Sequence, residues 1–222
     1  QTGRYAIENF GVDTLILDDG FQHLALKRDM NILLFDHQRP FGNGQLFPAG
    51  ELREPKKEAR RADFICITRY SGASYPPGIS EHLIKDLPVV KSTLRLDSIL
   101  KFGDGEVLDI KEIYNQPVAA FSGIANPDDF RKILEQTGTR LVYYHPFPDH
   151  HEYTLSDLKL IESSARELGA KLILTTEKDG VKLEPNSLSL PFYKVALEME
   201  ILEGRETFNQ HVLNWREVNY LN

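Results

Sequence analysis

Short apolar runs, most of them followed by a polar or glycine-containing turn, recur along this sequence and most constrain how it can fold. Helix-length segments of mixed polarity stand between them in the second half. Strands that alternate with helices are typical of α/β proteins with a parallel sheet. The pattern predicts strands at 12–17, 31–35, 63–68, 117–121, 141–144, 171–175 and 192–197. It predicts helices at 128–136, 155–168 and 207–215, and a short helix after Pro55.

Two α/β lobes are expected from the way these runs are grouped. Residues 88–110 have the pattern of a β-hairpin around the turn Gly103-Asp104-Gly105, and residues 71–80 that of a loop or linker. We therefore expect one lobe at 1–87, a β-hairpin hinge at 88–110 and a smaller C-terminal α/β lobe at 111–222.

Composition and charge exclude several classes of protein. Hydrophobic residues make up 41% of the chain, and no apolar run approaches the roughly 20 residues of a membrane span. A single cysteine, Cys66, excludes an internal disulfide, and its apolar neighbours predict a buried strand thiol. The net charge of −7 argues against a nucleic-acid partner. The basic stretch from Arg53 to Arg61 is the place where an anionic ligand is expected.

Two adjacent acids follow the first predicted strand. Leu15-Ile16-Leu17 leads into Asp18-Asp19-Gly20-Phe21-Gln22-His23. An acid at the carboxyl end of a strand matches the second nucleotide-binding element of P-loop enzymes, where it holds Mg²⁺ directly or through water. The alternative is that Asp18 or Asp19 caps a following helix. Two neighbouring carboxylates repel each other, however, and a bound cation would relieve that repulsion.

A long loop rich in glycine and proline spans residues 39–55. Long loops often carry function, and glycines allow the backbone to approach a ligand. Arg39 and Arg53 are candidates to bind phosphate through two hydrogen bonds each. A surface loop with solvated charges is the alternative interpretation.

Two further motifs lie in the second half. Asp149-His150-His151 suits a base with its orienting acid, a metal site, or a polar loop before a helix capped at Thr154. Adjacent side chains cannot both face inward, so one histidine is expected to be peripheral. Thr176 with Asp179 resembles a helix-capping box, and Lys178 is free to face a crevice.

Taken in order and spacing, these motifs resemble the tetraacyldisaccharide 4'-kinase family. The matching segments are DDGFQH (18–23), RPFGNGQLFPAGELREP (39–55), SGIANP (122–127), FPDHHEY (147–153) and TTEKDGVKL (175–183). The resemblance implies a P-loop kinase with a larger nucleotide-binding lobe and a smaller lobe. It implies ATP and Mg²⁺ as cofactors and phosphorylation of the 4'-hydroxyl of a lipid A disaccharide 1-phosphate, in lipopolysaccharide biosynthesis. The implied location is peripheral, at the cytoplasmic face of the bacterial inner membrane.

The resemblance also implies roles for individual residues. Asp18 and Asp19 would bind the metal and act in catalysis, and His150 would be the catalytic histidine. Substrate or phosphate binding would fall to a polar set, namely Gln22, His23, Asn43, Arg53 and Glu54. The 222 residues contain no GxxxxGK[ST]. The resemblance places that motif, the acid that pairs with His150 and a membrane-associating helix before Gln1, so this part alone is expected to bind ATP weakly and to be inactive.

Two alternatives remain open on the residues alone. Asp149-His150-His151 also matches metal-dependent phosphoesterases that are named for this triplet, although their additional paired-Asp motifs are not evident. A non-enzymatic partner lobe that retains the fold without a phosphate loop is the second alternative.

Overall fold

The computed structural model describes residues 2–72, 75, 79, 87–183 and 189–220, with 215–220 described by their backbone alone. Two compact units are present, one formed by Gln1–Thr93 with Ile201–Asn222 and the other by Leu94–Glu200. The chain thus returns to its first unit at the C-terminus. The boundaries expected from the sequence, 1–87, 88–110 and 111–222, do not include that return and stay a prediction as domain limits. The predicted loop at 71–80 lies largely outside the described residues.

Unit 1 contains a parallel sheet. Its elements are α1 (Thr2–Phe10), β1 (Ile32–Asp36), a 3₁₀ helix (Lys56–Arg61), β2 (Phe64–Thr68), the first part of β3 (Val89–Lys101) and, near the C-terminus, α6 (Arg205–Tyr220). β1 pairs with β2 and β2 with β3, both in parallel. The carboxyl ends of β1 and β2 therefore lie at the same sheet edge.

Strand β2 is buried on both faces, which explains its unbroken apolar sequence. Ile65 and Ile67 pack with residues of the first loops and the 3₁₀ helix. Phe64 and Cys66 pack on the opposite side, where Phe208 of α6 meets the Phe64 ring at 5.1 Å. The predicted buried thiol at Cys66 is confirmed, and burial raises its pKa. Each large side chain removed from water here contributes roughly 1.5–3 kcal/mol.

The strand predicted at residues 12–17 does not form. These residues have no regular structure, and Ile16 is 94% exposed. A strand needs a neighbour for its N–H and C=O groups, and none of the described strands pairs with this segment. Apolar alternation predicts which residues suit a strand, but the hydrogen bonds of a strand come from elsewhere in the chain.

Unit 2 has a longer, mainly parallel sheet with the strand order β3-β8-β7-β5-β6. Its further elements are β4 (Val107–Leu108), α2 (Ile110–Ile113), β5 (Pro117–Ser122), α3 (Pro127–Gln136), β6 (Arg140–Pro146), α4 (Leu155–Glu167), β7 (Leu172–Thr176), α5 (Glu177–Gly180) and β8 (Phe192–Glu203). β5 pairs in parallel with β6 and β7, and β7 with β8. The predicted hairpin is present, because β3 and β4 pair antiparallel with Ile99 opposite Leu108.

Helices cover both faces of this sheet. Val118 and Ala120 of β5 belong to a core that includes Phe130 of α3. The alternate residues Ala119 and Phe121 pack in a second core that includes Ile161 of α4. This arrangement of helix, sheet and helix confirms the α/β class predicted from the sequence.

Local sequence explains where the helices of unit 2 begin. Thr154 and Asp157 form a capping box at the start of α4, and the Thr176 hydroxyl accepts the Asp179 N–H at the start of α5. Both caps were predicted. The short helix after Pro55 is a 3₁₀ helix, which changes which of its side chains share a face. No helix in the described part of the chain is long and apolar enough to cross a bilayer.

Candidate functional site

The turn at residues 18–23 is held by an arginine from outside it. The Arg28 guanidinium donates to the carbonyl oxygens of Gly20 at 2.9 Å and His23 at 2.5 Å. Its Nε donates to Asn31 Oδ1 at 2.6 Å. The turn is therefore fixed in shape although most of its side chains face water. Arg28 was not predicted from the sequence, since a carbonyl-binding arginine has no sequence signature.

The side chains of the turn point to solvent. Asp18, Gln22 and His23 are exposed, and Asp19 has 84% of its side chain accessible. Asp19 adopts a left-handed backbone with φ 52°, a conformation that Asp tolerates better than most residues. Arg53 Nη2 lies 4.0 Å from Asp19 Oδ2, so the structure brings together two of the predicted site residues. An exposed contact of this kind contributes little to stability, which leaves both groups available to a ligand.

A cluster of charged side chains around Arg61 connects the 3₁₀ helix to the turn at residues 18–23. Both carboxylate oxygens of Glu54 accept hydrogen bonds from Arg61, at 2.7 and 2.9 Å, and Glu58 accepts a third at 3.0 Å. The Arg61 guanidinium also lies 4.8 Å from the centre of the Phe21 ring. The hydrogen bonds that Arg61 donates to Glu54 are the largest of the influences that raise the pKa of Arg61. Glu54 thus has a structural partner, and its predicted contact with substrate or phosphate stays a prediction.

Asn43 shapes the loop that follows β1. Its amide donates to the Ala49 carbonyl at 3.0 Å, and its Oδ1 accepts the Gln45 N–H at 3.1 Å. A side chain on Gly50 would overlap Asn43 Oδ1, so the close packing requires glycine there. Both polar ends of Asn43 are used inside the loop. The backbone around Asn43, rather than its side chain, is therefore free to bind phosphate, and the predicted role of Asn43 stays a prediction.

An ion pair joins the carboxyl ends of β1 and β2. Arg69 donates to Asp36 Oδ2 at 2.5 Å, while Asp36 Oδ1 accepts the N–H groups of Gln38 and Arg39 at 2.8 and 3.3 Å. Arg69 has a left-handed backbone with φ 55°. Such non-glycine outliers are concentrated at functional sites. Sequence reasoning missed this pair, although the position of an acid at the end of an apolar strand was a usable signal.

In unit 2, His150 lies in a fixed loop but its ring faces water. Its N–H donates to the Gly123 carbonyl at 3.2 Å, its φ is 59°, and its side chain is 76% exposed. Nε2 lies 3.7 Å from the Asp149 carboxylate, which also contacts Lys178 Nζ at 3.4 Å. Burial acts to raise the pKa of Asp149, but Lys178 and His150 outweigh it and hold the pKa below its usual value. Lys178 therefore faces the Asp149 carboxylate, whereas the sequence had left the direction of its side chain open.

His151 has the more enclosed position. Its ring stacks on Phe147 at 4.5 Å, and Nε2 lies 3.3 Å from Asp157 Oδ2. The pKa of Asp157 is lowered by the N–H and then the hydroxyl of Thr154, and further by His151. Asp157 is therefore both a helix cap and the acid that fixes the orientation of this histidine.

A fully buried carboxylate supports the same sheet edge. Asp179 Oδ2 accepts the Gly123 N–H at 2.9 Å and the Thr176 hydroxyl at 2.7 Å. Lys182 Nζ lies 3.4 Å from the other oxygen. Burial, and then the Asp179 charge, raise the pKa of Tyr153. These bonds connect the ends of β5 and β7 and so hold the backbone to which His150 is attached.

The donor groups fit a magnesium ion that is shared with a ligand. Asp18 and Asp19 supply two adjacent exposed carboxylates. Among the described residues, no group of three or more His, Cys, Asp and Glu side chains is placed to hold a metal. Mg²⁺ is commonly bound by one or two carboxylates, with water and substrate phosphates completing its shell. The turn therefore suits Mg²⁺ bound together with a phosphate.

Comparison with known proteins identifies the family. The family described as tetraacyldisaccharide-1-P 4'-kinase matches residues 1–216. The chain belongs to the tetraacyldisaccharide-1-P 4'-kinase family. The resemblance seen in the five sequence motifs is confirmed.

Members of the tetraacyldisaccharide-1-P 4'-kinase family match most of the chain. The tetraacyldisaccharide 4'-kinase of Syntrophus aciditrophicus is 41% identical and covers 96% of this chain, and that of Syntrophotalea carbinolica is 39% identical and covers 91%. The chain spans 60% and 55% of the length of these two proteins. None of these relatives is a phosphoesterase or a non-enzymatic lobe, and neither alternative from the sequence has support.

A solved structure of the tetraacyldisaccharide-1-P 4'-kinase family shares the fold. The crystal structure of "apo" form LpxK from Aquifex aeolicus in complex with ATP superimposes with a TM-score of 0.67 at 29% identity. It covers 96% of this chain, which in turn covers 61% of that protein. The expected likeness to a kinase of this fold is confirmed.

Proposed function

We propose that the protein containing this chain transfers the terminal phosphate of ATP to the 4'-hydroxyl of a tetraacyldisaccharide 1-phosphate, a lipid A precursor. The match of residues 1–216 to the family carries this proposal. The Aquifex aeolicus relative that shares the fold is described in complex with ATP, which supports ATP as the donor. The reaction would make this protein a kinase of lipopolysaccharide biosynthesis.

Mg²⁺ is proposed as the second cofactor, held by Asp18 and Asp19. The ion, when bound, would neutralise charge on the phosphates of the nucleotide. The fixed turn supports this role, since Arg28 holds the backbone from Gly20 to His23 and leaves both carboxylates exposed.

His150 is proposed to act on the acceptor hydroxyl. Phosphoryl transfer depends more on positioning than on early proton removal, so this histidine would orient the hydroxyl and receive its proton. Its exposed ring, held on a backbone with φ 59°, supports a role toward a ligand rather than in the core. Asp149, with its own contact to Lys178, supports the orientation of the ring.

The proposed acceptor site takes its polar groups from unit 1. Gln22, His23 and Arg53 are exposed and offer donors to sugar hydroxyls or phosphate. Glu54 and Asn43 would contribute to this site indirectly. Glu54 holds Arg61 in place, and Asn43 shapes the loop after β1.

A peripheral position at the cytoplasmic face of the inner membrane is proposed as well, because the proposed acceptor is a lipid. The exposed basic residues Lys57 and Arg60 support contact with an anionic surface.

A direct assay tests the function. The protein produced from the complete gene would be mixed with radiolabelled ATP, Mg²⁺ and tetraacyldisaccharide 1-phosphate, and the lipid product would be separated and mapped. We expect one new phosphate at the 4'-position. Label on water alone, or none on the lipid at saturating ATP, would contradict the proposal.

A further inference from the structure

An open pocket in unit 1 lies between the loop that follows β1 and the first residue of the 3₁₀ helix. It has a volume of about 210 Å³ and is lined by Gln38–Gly44 and Lys56. Its lining includes two cations, Arg39 and Lys56, and one aromatic ring, Phe41, together with polar residues and glycines, and it contains no acid. That composition suits an anion.

Lys56 is the cation of the pocket that is best placed to bind an anionic ligand. Within the described residues its ammonium has no carboxylate at salt-bridge distance, and it lies 4.6 Å from the centre of the Phe41 ring. Phe41 is only 6% exposed and packs edge-on against Phe35 at 5.2 Å. The ring is thus fixed in the core, and it holds the lysine at the pocket by a cation–π contact.

The loop around the pocket is already shaped before any ligand binds. Gly42 and Gly44 have left-handed backbones with φ 53° and 76°. A β-carbon at Gly42 would overlap the Glu51 carboxylate, and one at Gly44 would lie 3.2 Å from Lys56 Nζ. Turns are closed by hydrogen bonds from the Gly42 N–H to the Arg39 carbonyl and from the Gly44 N–H to the Phe41 carbonyl. A preformed loop loses little freedom on binding, which favours affinity.

The charge at the pocket is net positive. Arg39 donates to Glu51 through one of its nitrogens at 2.9 Å and is 68% exposed, so further N–H groups remain for a ligand. Lys56 adds a second cation. One carboxylate beside two cations leaves an excess of one positive charge, which favours an anion over a neutral or cationic ligand.

We propose that this pocket binds a phosphate monoester, and that its occupant is the phosphate already present at position 1 of the sugar acceptor. The name of the family specifies an acceptor that carries a 1-phosphate. The assignment to the acceptor therefore rests on the proposed function, whereas phosphate binding as such rests on the pocket. ATP is the other source of the same chemistry.

Binding measurements with soluble probes separate the two sources. Calorimetry would use the protein from the complete gene with α-D-glucosamine 1-phosphate, with glucosamine and with ATP. For Lys56→Gln we expect roughly a tenfold or greater rise in the Kd for glucosamine 1-phosphate, from the loss of a charge-assisted bond. The Kd for ATP should not change. Lys27→Gln, an exposed lysine of the same unit outside the pocket lining, should match the wild type.

Each result decides the proposal. Equal affinity of Lys56→Gln and the wild type for glucosamine 1-phosphate would overturn it, as would equal wild-type affinity for glucosamine and its 1-phosphate. A weakened affinity for ATP with an intact affinity for the sugar phosphate would assign the pocket to the nucleotide and overturn the acceptor assignment. A protein that binds the sugar phosphate through Lys56 but transfers no phosphate to lipid would contradict the proposed function and leave the pocket intact.

Discussion

At the scale of single residues, the clearest contrast is between side chains that face solvent and the arginines that fix their backbone. Asp18, Asp19 and His150 are exposed. Arg28 and Arg61 bind carbonyl oxygens and acids around the turn. Fixing the backbone of an exposed group reduces the reorganisation needed when a ligand arrives.

The first prediction concerns the two acids of the turn. Asp18→Asn and Asp19→Asn in the complete protein should each lower turnover by roughly 10²-fold if they hold Mg²⁺. Each change keeps the shape of the side chain and removes a charge. Turnover would be measured over a Mg²⁺ titration, with Asp29→Asn as an exposed control that should behave as wild type. Near-normal turnover of both variants at saturating Mg²⁺ would refute the metal assignment.

The second prediction separates the adjacent histidines. His150→Ala should lower kcat by roughly 10²-fold with little change in the KM for ATP, because the change removes the group proposed to act on the acceptor. His151→Ala should affect kcat less and instead lower stability by about 1 kcal/mol, since it removes a stacked, hydrogen-bonded ring. The stacking on Phe147 and the contact with Asp157 are the basis for this expectation.

Steady-state kinetics and denaturant unfolding of both variants would check the histidines. A His150→Ala enzyme with full kcat would refute its role. A larger loss of kcat in His151→Ala than in His150→Ala would transfer that role to the histidine that contacts Asp157.

At the scale of elements, the segment from Lys56 to Arg61 shows how helix type changes which side chains share a face. A 3₁₀ helix has three residues per turn, so residues three apart share a face. Lys57 therefore aligns with Arg60, whereas in an α-helix it would align with Arg61. Arg61 is instead bound to Glu54 and Glu58. Lys57 and Arg60 are therefore the exposed cations of this element that share a face.

The third prediction follows from that face. Reversal of Lys57 and Arg60 to Glu should weaken association with vesicles containing phosphatidylserine by tenfold or more, since each basic residue near such a surface contributes about 1 kcal/mol. The effect should shrink as salt rises.

Vesicle sedimentation over a salt titration would measure this association. The matched control reverses two exposed lysines of unit 2, Lys132 and Lys159, and so makes the same change in net charge. Equal weakening by both pairs would show that only total charge matters and would remove the case for a specific face.

At the scale of the whole chain, each unit has its own core. Unit 1 packs around β2 and is completed by Phe208 from near the C-terminus. Unit 2 packs helices α3 and α4 on the two faces of β5. Within unit 2, acids also bind backbone N–H groups, as Glu162 does for Ser189 and Leu190 at 2.8 and 3.1 Å.

The fourth prediction is a loss of stability in acid. Bonds from the backbone and hydroxyl of Thr154 lower the pKa of Asp157. Burial raises the pKa of Glu162, but bonds from Ser189, Leu190 and Arg166 outweigh it and lower that pKa overall. A lowered folded-state pKa gives stability that is present above the unfolded value and lost as pH falls through the folded one. The loss should therefore concentrate below about pH 4 to 5.

Urea unfolding between pH 7 and pH 3 would test this dependence. The Asp157→Asn, Glu162→Gln double variant should be less stable at pH 7, by about 1 kcal/mol or more, and should lose less on acidification. Glu152→Gln, an exposed acid of the same unit, serves as the control. A double variant whose stability falls with pH as steeply as the wild type would contradict the assignment to these two acids.

Sequence alone determined the features that depend on local pattern. Buried strands read as unbroken apolar runs because both faces of a parallel sheet are covered, so β2, β5 and β7 were predictable. Caps such as Thr154 and Thr176 were predictable because their bonds span three residues. The family motifs identified the family for the same reason, since each is a short contiguous segment.

Only the tertiary structure decided which distant groups meet. The strand expected at 12–17 is absent, because a strand needs a partner that local pattern does not supply. The bonds of Arg61 to Glu54, of Arg28 to the turn and of Asp36 to Arg69 join residues whose spacing follows no period. The pocket at Lys56 exists because a core ring, Phe41, fixes the cation beside a glycine loop. Such contacts arise from packing in three dimensions, and a linear pattern carries no record of them.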